Sequence, residues 1–318
     1  MQYGAIVVTF NRKALLMESL TALKNQTVPP AKIILIDNHS TDGTQKLLKS
    51  KGLLDDAMID YRYLTENIGG AGGFTRGIQI AAADSSLDWV SLSDDDAIFE
   101  TDYFEKLIAY QVDHPEREVL TGSVQVADGR LQVDQRNRFT SWNTFRAEAV
   151  SEAEYHENFE FDQYTFCGVF LSLKLVKKVG LPDAGYFIWW DDCEYAVRTA
   201  KYARPVNVSA AKLIHKTYLP SLDFKHKYIP DWRLYYGIRN RLITIKRWRL
   251  NPLASFAWLI VFYGRFFVKL FGPFYRGYRR IVVRVYFEAL RDAIRGKEGL
   301  NPHFMPGQKF SSSSKVDE

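Results

Sequence analysis

Residues 91–99 read SLSDDDAIF: three consecutive carboxylates, Asp94, Asp95 and Asp96, sit directly after one apolar run and directly before another. Like charges crowded at the end of a strand repel one another unless something positive lies between them. In an extended segment residues i and i+2 point the same way, so Asp94 and Asp96 are expected to face one side and Asp95 the other. An all-oxygen cluster favours Mg²⁺ or Mn²⁺, ions that commonly bind through one or two carboxylates plus substrate phosphates. The plainer alternative is a solvated turn or an acidic helix start ahead of AIFETDYFEKLI.

Outward from the triplet, the first hundred residues alternate short β-branched runs with helical patterns. The order is AIVVTF, a helix over 13–24, KIILID, a helix over 41–51, MIDYRYL, a helix over 70–83, and WVSLSD. Such alternation predicts an α/β fold with a parallel sheet, and ligands then lie beyond the carboxyl ends of the strands. The polar segments TFNR, DNHSTDGT, ENIGGAGGF and SDDDA all fall there. A dinucleotide site needs G-x-G-x-x-G after a strand. The cluster offers Gly70-x-Gly72 but Thr75 at the last position, and TFNR has no glycine, which disfavours a nicotinamide or flavin enzyme.

Farther along, VQVADGRLQVD alternates around Asp128 and Gly129 and predicts a hairpin, and residues 140–165 are expected to form a loop. A second acidic constellation is GYFIWWDDCEYAVR, residues 185–198. Its aromatic run is expected as a strand that restricts solvation of the carboxylates after it, which raises a pKa and suits a general base. Helix capping is the competing role for Asp191 and Asp192. A single histidine such as His215, in AKLIHKTY, is by itself more often structural than a ligand.

Taken in order, TFNR, IDNHSTDGT, ENIGGAGGF, SDDDA and WWDDCEYAVR, followed by His215, resemble the inverting family 2 glycosyltransferases of the GT-A fold. The resemblance spans about residues 3–220. It is most similar to the galactofuranosyltransferases. Rhamnosyltransferases, which use dTDP-rhamnose, more often carry Asn where this chain has Phe74 and Glu where it has Asp191. The resemblance implies a UDP-linked donor met by Thr9, Phe10, Arg12, Asp37, Asn67, Gly69, Gly70, Asp94 and Asp95. It implies Mn²⁺ or Mg²⁺ held by Asp94, Asp96 and His215, and Asp192 as the base that deprotonates the acceptor. Asp191, with Trp189 and Trp190, is implied to orient that acceptor, a lipid-linked cell-surface glycan. The acceptor side is also implied for residues 140–165. The readings of other classes are a rhamnosyltransferase on the same scaffold, a non-catalytic membrane-bound scaffold, and a nucleotidyltransferase, whose glycine-rich triphosphate loop is missing from the N-terminal strand.

Charge divides the 318 residues unevenly, for a net +5 overall. From Lys225 to Lys297 seventeen Lys and Arg face only Asp231, Glu288 and Asp292, so the remainder is acidic. The expected organisation is a GT-A catalytic domain over 1–224, a basic helical membrane-associating segment over 225–300, and a disordered tail over 301–318. The longest uncharged stretch, Asn251 to Gly264, is shorter than the roughly 20 residues a spanning helix needs, so no transmembrane helix is expected. A helix over 278–295 is expected to place Arg280, Arg284, Glu288, Arg291, Asp292 and Arg295 on one polar stripe. Such a helix suits an anionic membrane surface, with packing on the catalytic domain or on a second copy in a homo-oligomer as the competing role. Nucleic acid is disfavoured, because no zinc-binding, RNA-binding or helix-turn-helix pattern accompanies the charge. Two cysteines, and an N-terminal MQYGAIVVTFNR without a secretory pattern, point to the cytosol and hence to the cytoplasmic face of the inner membrane.

Overall fold

The computed structural model describes residues 1–216 and 229–310. It divides into two compact units: Met1–Phe139 with Ala147–Ala184 and Asp192–Leu219, and Thr140–Arg146 with Gly185–Asp191 and Pro220–Glu318.

The first unit is built on β1 (Tyr3–Thr9), β2 (Lys32–Asp37), β3 (Ile59–Tyr63) and β4 (Trp89–Asp94). These are joined through α1 (Lys13–Lys24), α2 (Thr44–Ser50) and α3 (Gly69–Ala83). They pair parallel in the order β3-β2-β1-β4, as β-α-β crossovers require. Alternation sorts β1 onto two faces. Tyr3, Ala5 and Val7 join Leu16 and Leu20 of α1 in one core, while Ile6 and Val8 join Phe74 and Ile78 of α3 in the other.

The glycine-rich run serves that second core. A Cβ on Gly73 would lie 2.7 Å from Val8 Cγ1, and one on Gly77 would overlap Ile6 Cγ2, so glycine lets α3 lie flat on β1. Gly70 has open space on its α-carbon and Gly69 has φ of 77°.

Beyond β4 the sheet becomes mixed. After β5 (Ala97–Phe99) and α4 (Tyr103–Asp113) come β6 (Val119–Val126), β7 (Arg136–Ser141), β8 (Arg146–Ala149), β9 (Phe159–Glu160), β10 (Gln163–Tyr164) and β11 (Val169–Ser172). Then follow α5 (Leu173–Val179), α6 (Asp191–Thr199) and β12 (Val206–His215). The sheet continues β4-β11-β6-β12-β5, with β9 also on β12, and β10-β7-β8 form a second sheet. The expected hairpin is present as the turn that brings Leu131 antiparallel to Gln125. The expected loop over 140–165 is corrected: it contains β8, a 3-10 turn at Glu152–His156, β9 and β10.

The second unit is helical, with α7 (Arg233–Trp248), α8 (Pro252–Phe271) and α9 (Arg279–Arg295). The α8 helix starts where Asn251 accepts from the amides of Leu253 and Ala254, with Pro252 at its first turn. Its length corrects the expectation from the uncharged run. At 20 residues it is long and apolar enough to cross a membrane, because Arg265 and Lys269 lie in its C-terminal part. Asp292 is also corrected. It is not on the exposed stripe of α9 but buried, accepting from Tyr235 Oη at 2.7 Å. The expected disordered tail begins too early at residue 301: Asn301 and Phe304 are buried, and Phe304 stacks on Tyr235 with ring centroids 4.5 Å apart. Residues 311–318 and 217–228 lie outside the described residues.

Candidate active site

The acidic triplet is a turn rather than a continued strand. Asp94 ends β4, and Asp95 and Asp96 form the tight turn into β5. The expected alternation of side chains is therefore corrected, because it holds only for extended backbone. Asp95 and Asp96 instead share one partner, Arg12, whose Nη1 lies 3.3 Å from Asp95 Oδ1 and 2.6 Å from Asp96 Oδ2. Thr9, the last residue of β1, donates to Asp95 Oδ2 at 2.6 Å. Parallel pairing of Val8 with Asp94 sets this meeting of the two strand ends.

His215 reaches the same turn from the opposite side. It pairs with Ala97 in the β12–β5 ladder, so its ring falls beside Asp96, with Nε2 at 3.3 Å from Oδ1. Its Nδ1 is 2.8 Å from Gln132 Oε1, a contact that the tautomer with the proton on Nδ1 satisfies. In the neutral ring Nε2 then presents a lone pair to a carboxylate oxygen. Asp96 Oδ1 is buried and has no hydrogen-bond partner. Two facing acceptors call for a second proton on the ring or for a cation between them.

The electrostatics follow. Burial pushes Asp96 up, but contacts with His215 and Arg12 outweigh it and hold the carboxyl below its usual range. Burial pushes Asp95 up to about 6, against the pull of Thr9 and Arg12. Asp94 is exposed at its own surface, yet the surrounding protein displaces solvent and, with the charges of Asp96 and Asp95, pushes it up to about 8. Among the described residues no three His, Cys, Asp or Glu side chains are drawn together as a formed metal site. The donor set nevertheless fits a hard divalent ion: the buried Oδ1 of Asp96, which has no hydrogen-bond donor, the ring nitrogen of His215 that faces it at 3.3 Å, and Asp94, within electrostatic reach of both.

The neighbouring strand ends are knit by side chains. Asn11 has φ of 56°, and its Oδ1 accepts from the amides of Thr41 and Asp42, at 2.7 and 3.2 Å. Asp37 is fully buried, accepting from the Ser40 amide at 2.7 Å and from Tyr61 Oη at 2.8 Å. Asn38 donates to Asn67 Oδ1, which also accepts from the Gly69 amide at 2.8 Å, fixing the entrance to α3. Phe10 is exposed at the end of β1.

The second acidic motif opens α6. Asp192 Oδ1 accepts from the Cys193 amide at 2.6 Å, and burial, outweighing that bond, pushes its pKa up to about 6. Asp191 is buried. The aromatic run before it is not the strand expected: a 3-10 turn at Ala184–Tyr186 is followed by bends in which Phe187, Trp189 and Trp190 have φ of 66°, 64° and 72°. Left-handed backbone at three bulky residues is strained and persists only when held. Asn240 holds it, donating to the carbonyls of Tyr186, Ile188 and Trp189 at 2.9, 2.9 and 2.8 Å. Arg239 adds bonds to the carbonyls of Gly185 and Tyr186. Neither residue was singled out from the sequence. The three local signals, Phe187, Trp189 and Trp190 on one bend, gave no pointer to a helix some fifty positions on.

A mixed α/β sheet flanked by helices, with polar side chains converging where β1 and β4 end, defines a glycosyltransferase of the GT-A fold. The sequence model of glycosyl transferase family 2 matches residues 5–172, and this chain belongs to that family. It is 26% identical over 266 residues to galactofuranosyltransferase GlfT1 of Mycolicibacterium smegmatis, covering 80% of this chain and 86% of the relative. It is 25% identical to the glycosyltransferase YwdF of Bacillus subtilis over 68% of this chain and 74% of that one. Two solved structures share the fold. Staphylococcus aureus TarS 1–349 in complex with UDP-GlcNAc has a TM-score of 0.59 at 17% identity, over 93% of this chain and 82% of that one. GalNAc-T7 with UDP, GalNAc and Mn²⁺ has a TM-score of 0.58 at 14% identity, over 77% of this chain and 48% of that one, so this chain spans about half its length.

Proposed function

We propose that this glycosyltransferase moves galactofuranose from UDP-galactofuranose to a hydroxyl of a lipid-linked cell-surface glycan, with inversion, at the cytoplasmic face of the inner membrane. The choice of donor sugar rests on similarity to GlfT1 over four-fifths of the chain. The chemistry rests on one observation, the buried Asp96 Oδ1 that has no hydrogen-bond donor and faces His215 Nε2 at 3.3 Å, within electrostatic reach of Asp94.

Asp94, Asp96 and His215 are the residues that would hold Mn²⁺ or Mg²⁺. Such an ion, when bound, neutralises charge developing on a leaving diphosphate. Arg12, Asp95, Thr9 and Phe10 line the donor side, with Asp37, Asn67, Gly69 and Gly70 at the nucleoside end. Asp192 accepts the acceptor hydroxyl proton as the new bond to the anomeric carbon forms and the bond to the UDP oxygen breaks. A carboxylate with a raised pKa is the stronger base for that transfer. Asp191, Trp189 and Trp190 orient the acceptor.

The test is UDP release by the purified chain with UDP-galactofuranose, Mn²⁺ and a lipid-linked acceptor, beside dTDP-rhamnose. Turnover with the first and not the second is expected. Preference for dTDP-rhamnose removes the donor assignment, and no turnover with any nucleotide sugar removes the reading.

A further inference from the structure

The membrane part of that reading can be taken further from the C-terminal unit alone. On α8, Leu253, Phe256, Ile260, Gly264, Phe267 and Phe271 recur at steps of three and four, and all are exposed. Leu253 and Phe271 are 80% and 78% accessible. A different edge is docked: Ser255, Phe266 and Leu270 are buried, and Phe266 stacks on Tyr286 of α9 with centroids 3.8 Å apart. Arg265 and Lys269, both exposed, occupy the border between the two faces.

A groove of about 220 Å³ opens between α7, α8 and α9, lined by Leu242, Ile245, Trp258, Leu259, Leu290 and Ile294. Exposed Lys246 and Arg249 also line it. Sites for drug-sized ligands run about 300–1,000 Å³. This one is smaller and apolar, a shape that suits one alkyl chain with an anionic head beside the two cations.

We propose that α8 lies in the plane of an anionic bilayer, its exposed stripe among the acyl chains and one lipid chain seated in the groove. A spanning orientation is opposed by the packing on α9, which exposes Arg279, Arg280, Arg284, Arg291 and Arg295. Each arginine placed at the centre of the hydrocarbon costs about 2.5–3.5 kcal/mol or more. At head-group level each cation near an anionic surface instead gains about 1 kcal/mol.

The test uses the full chain and vesicles, with no nucleotide or sugar present, so its outcome is independent of whether the transferase reading holds. Sedimentation with phosphatidylglycerol-containing vesicles is expected to bind the chain at least about tenfold more tightly than phosphatidylcholine alone, and high salt to weaken it. Ile260→Ser with Phe267→Ser should abolish binding while thermal unfolding in buffer stays unchanged. Phosphatidylglycerol brominated near the head group should quench tryptophan emission more than lipid brominated at the chain end, and Trp258→Phe should remove most of that difference. No preference for anionic vesicles overturns the proposal. So does equal quenching at every depth, which indicates a spanning helix, and so does a dimer in buffer that Phe267→Ser dissociates, which indicates a second copy on the face.

Discussion

Arg12 Nη1 donates to Asp96 Oδ2 at 2.6 Å, so the acidic turn receives a cation from the protein itself. Asp95 Oδ1 shares that guanidinium at 3.3 Å. A divalent ion held there as proposed would compete with Arg12 for the same carboxylates, and a donor diphosphate is the group that would draw Arg12 away. Arg12→Ala is expected to bind Mn²⁺ without nucleotide about tenfold more tightly than the parent, a difference of about 1.4 kcal/mol, while binding UDP more weakly. Electron paramagnetic resonance of free Mn²⁺ reads the first and calorimetry the second. Unchanged or weaker Mn²⁺ binding by the variant would contradict the competition.

Asp192 separates chemistry from stability. Its pKa is raised by burial from 3.8 to about 6. Between those values the folded chain holds a proton that the unfolded chain has released, so stability from this group is present at low pH and lost as pH rises through that window. In the proposed role the base form abstracts the acceptor proton, so kcat should fall as pH drops through about 6 rather than about 4. Asp192→Asn should lower kcat by about 10²–10⁴ while leaving the Tm at pH 7.5 unchanged or higher. A large drop in Tm would mark the residue as structural.

The packing of α3 on β1 gives a prediction away from the chemistry. Because a Cβ at Gly77 overlaps Ile6 Cγ2, Gly77→Ala should destabilise by about 1–3 kcal/mol. Adding Ile6→Ala opens space for the new methyl, so the double variant should be more stable than the sum of the single costs, as read by denaturant titration. Strict additivity would show that α3 shifts away instead.

How far the sequence carried depended on the range of the interaction. Periodicity is local, so the ends of β2, β4 and α1 agree with the patterns read from it. The burial of Tyr3, Ala5 and Val7 on one face and Ile6 and Val8 on the other follows from the same alternation. Arg12 was legible as a site residue, but its pairing with Asp96 was not, because that contact spans 84 positions and depends on the β1–β4 register. Asp292 looked like part of a charged stripe, since nothing near it in the chain announces the hydroxyl of Tyr235, 57 positions earlier. The uncharged run Asn251 to Gly264 understated α8 because two cations near a helix end do not stop the helix.

The bend before α6 is the feature that sequence patterns concealed most completely, and it yields the last prediction. Asn240 is fully buried and spends its amide donors on three carbonyls of a segment in which Phe187, Trp189 and Trp190 are left-handed. Asn240→Ala leaves those carbonyls without a donor, and the strain is no longer opposed. The expected loss is about 2–4 kcal/mol, taking a net 0.5–1.5 kcal/mol per bond plus the cost of unsatisfied groups. Asn240→Asp should not restore stability, because a carboxylate of the same shape cannot donate to a carbonyl. Because the bend runs directly into Asp191 and Asp192, Asn240→Ala should also raise KM for the acceptor while leaving UDP affinity unchanged. Equal loss of UDP binding would show that the substitution unfolds more than the bend.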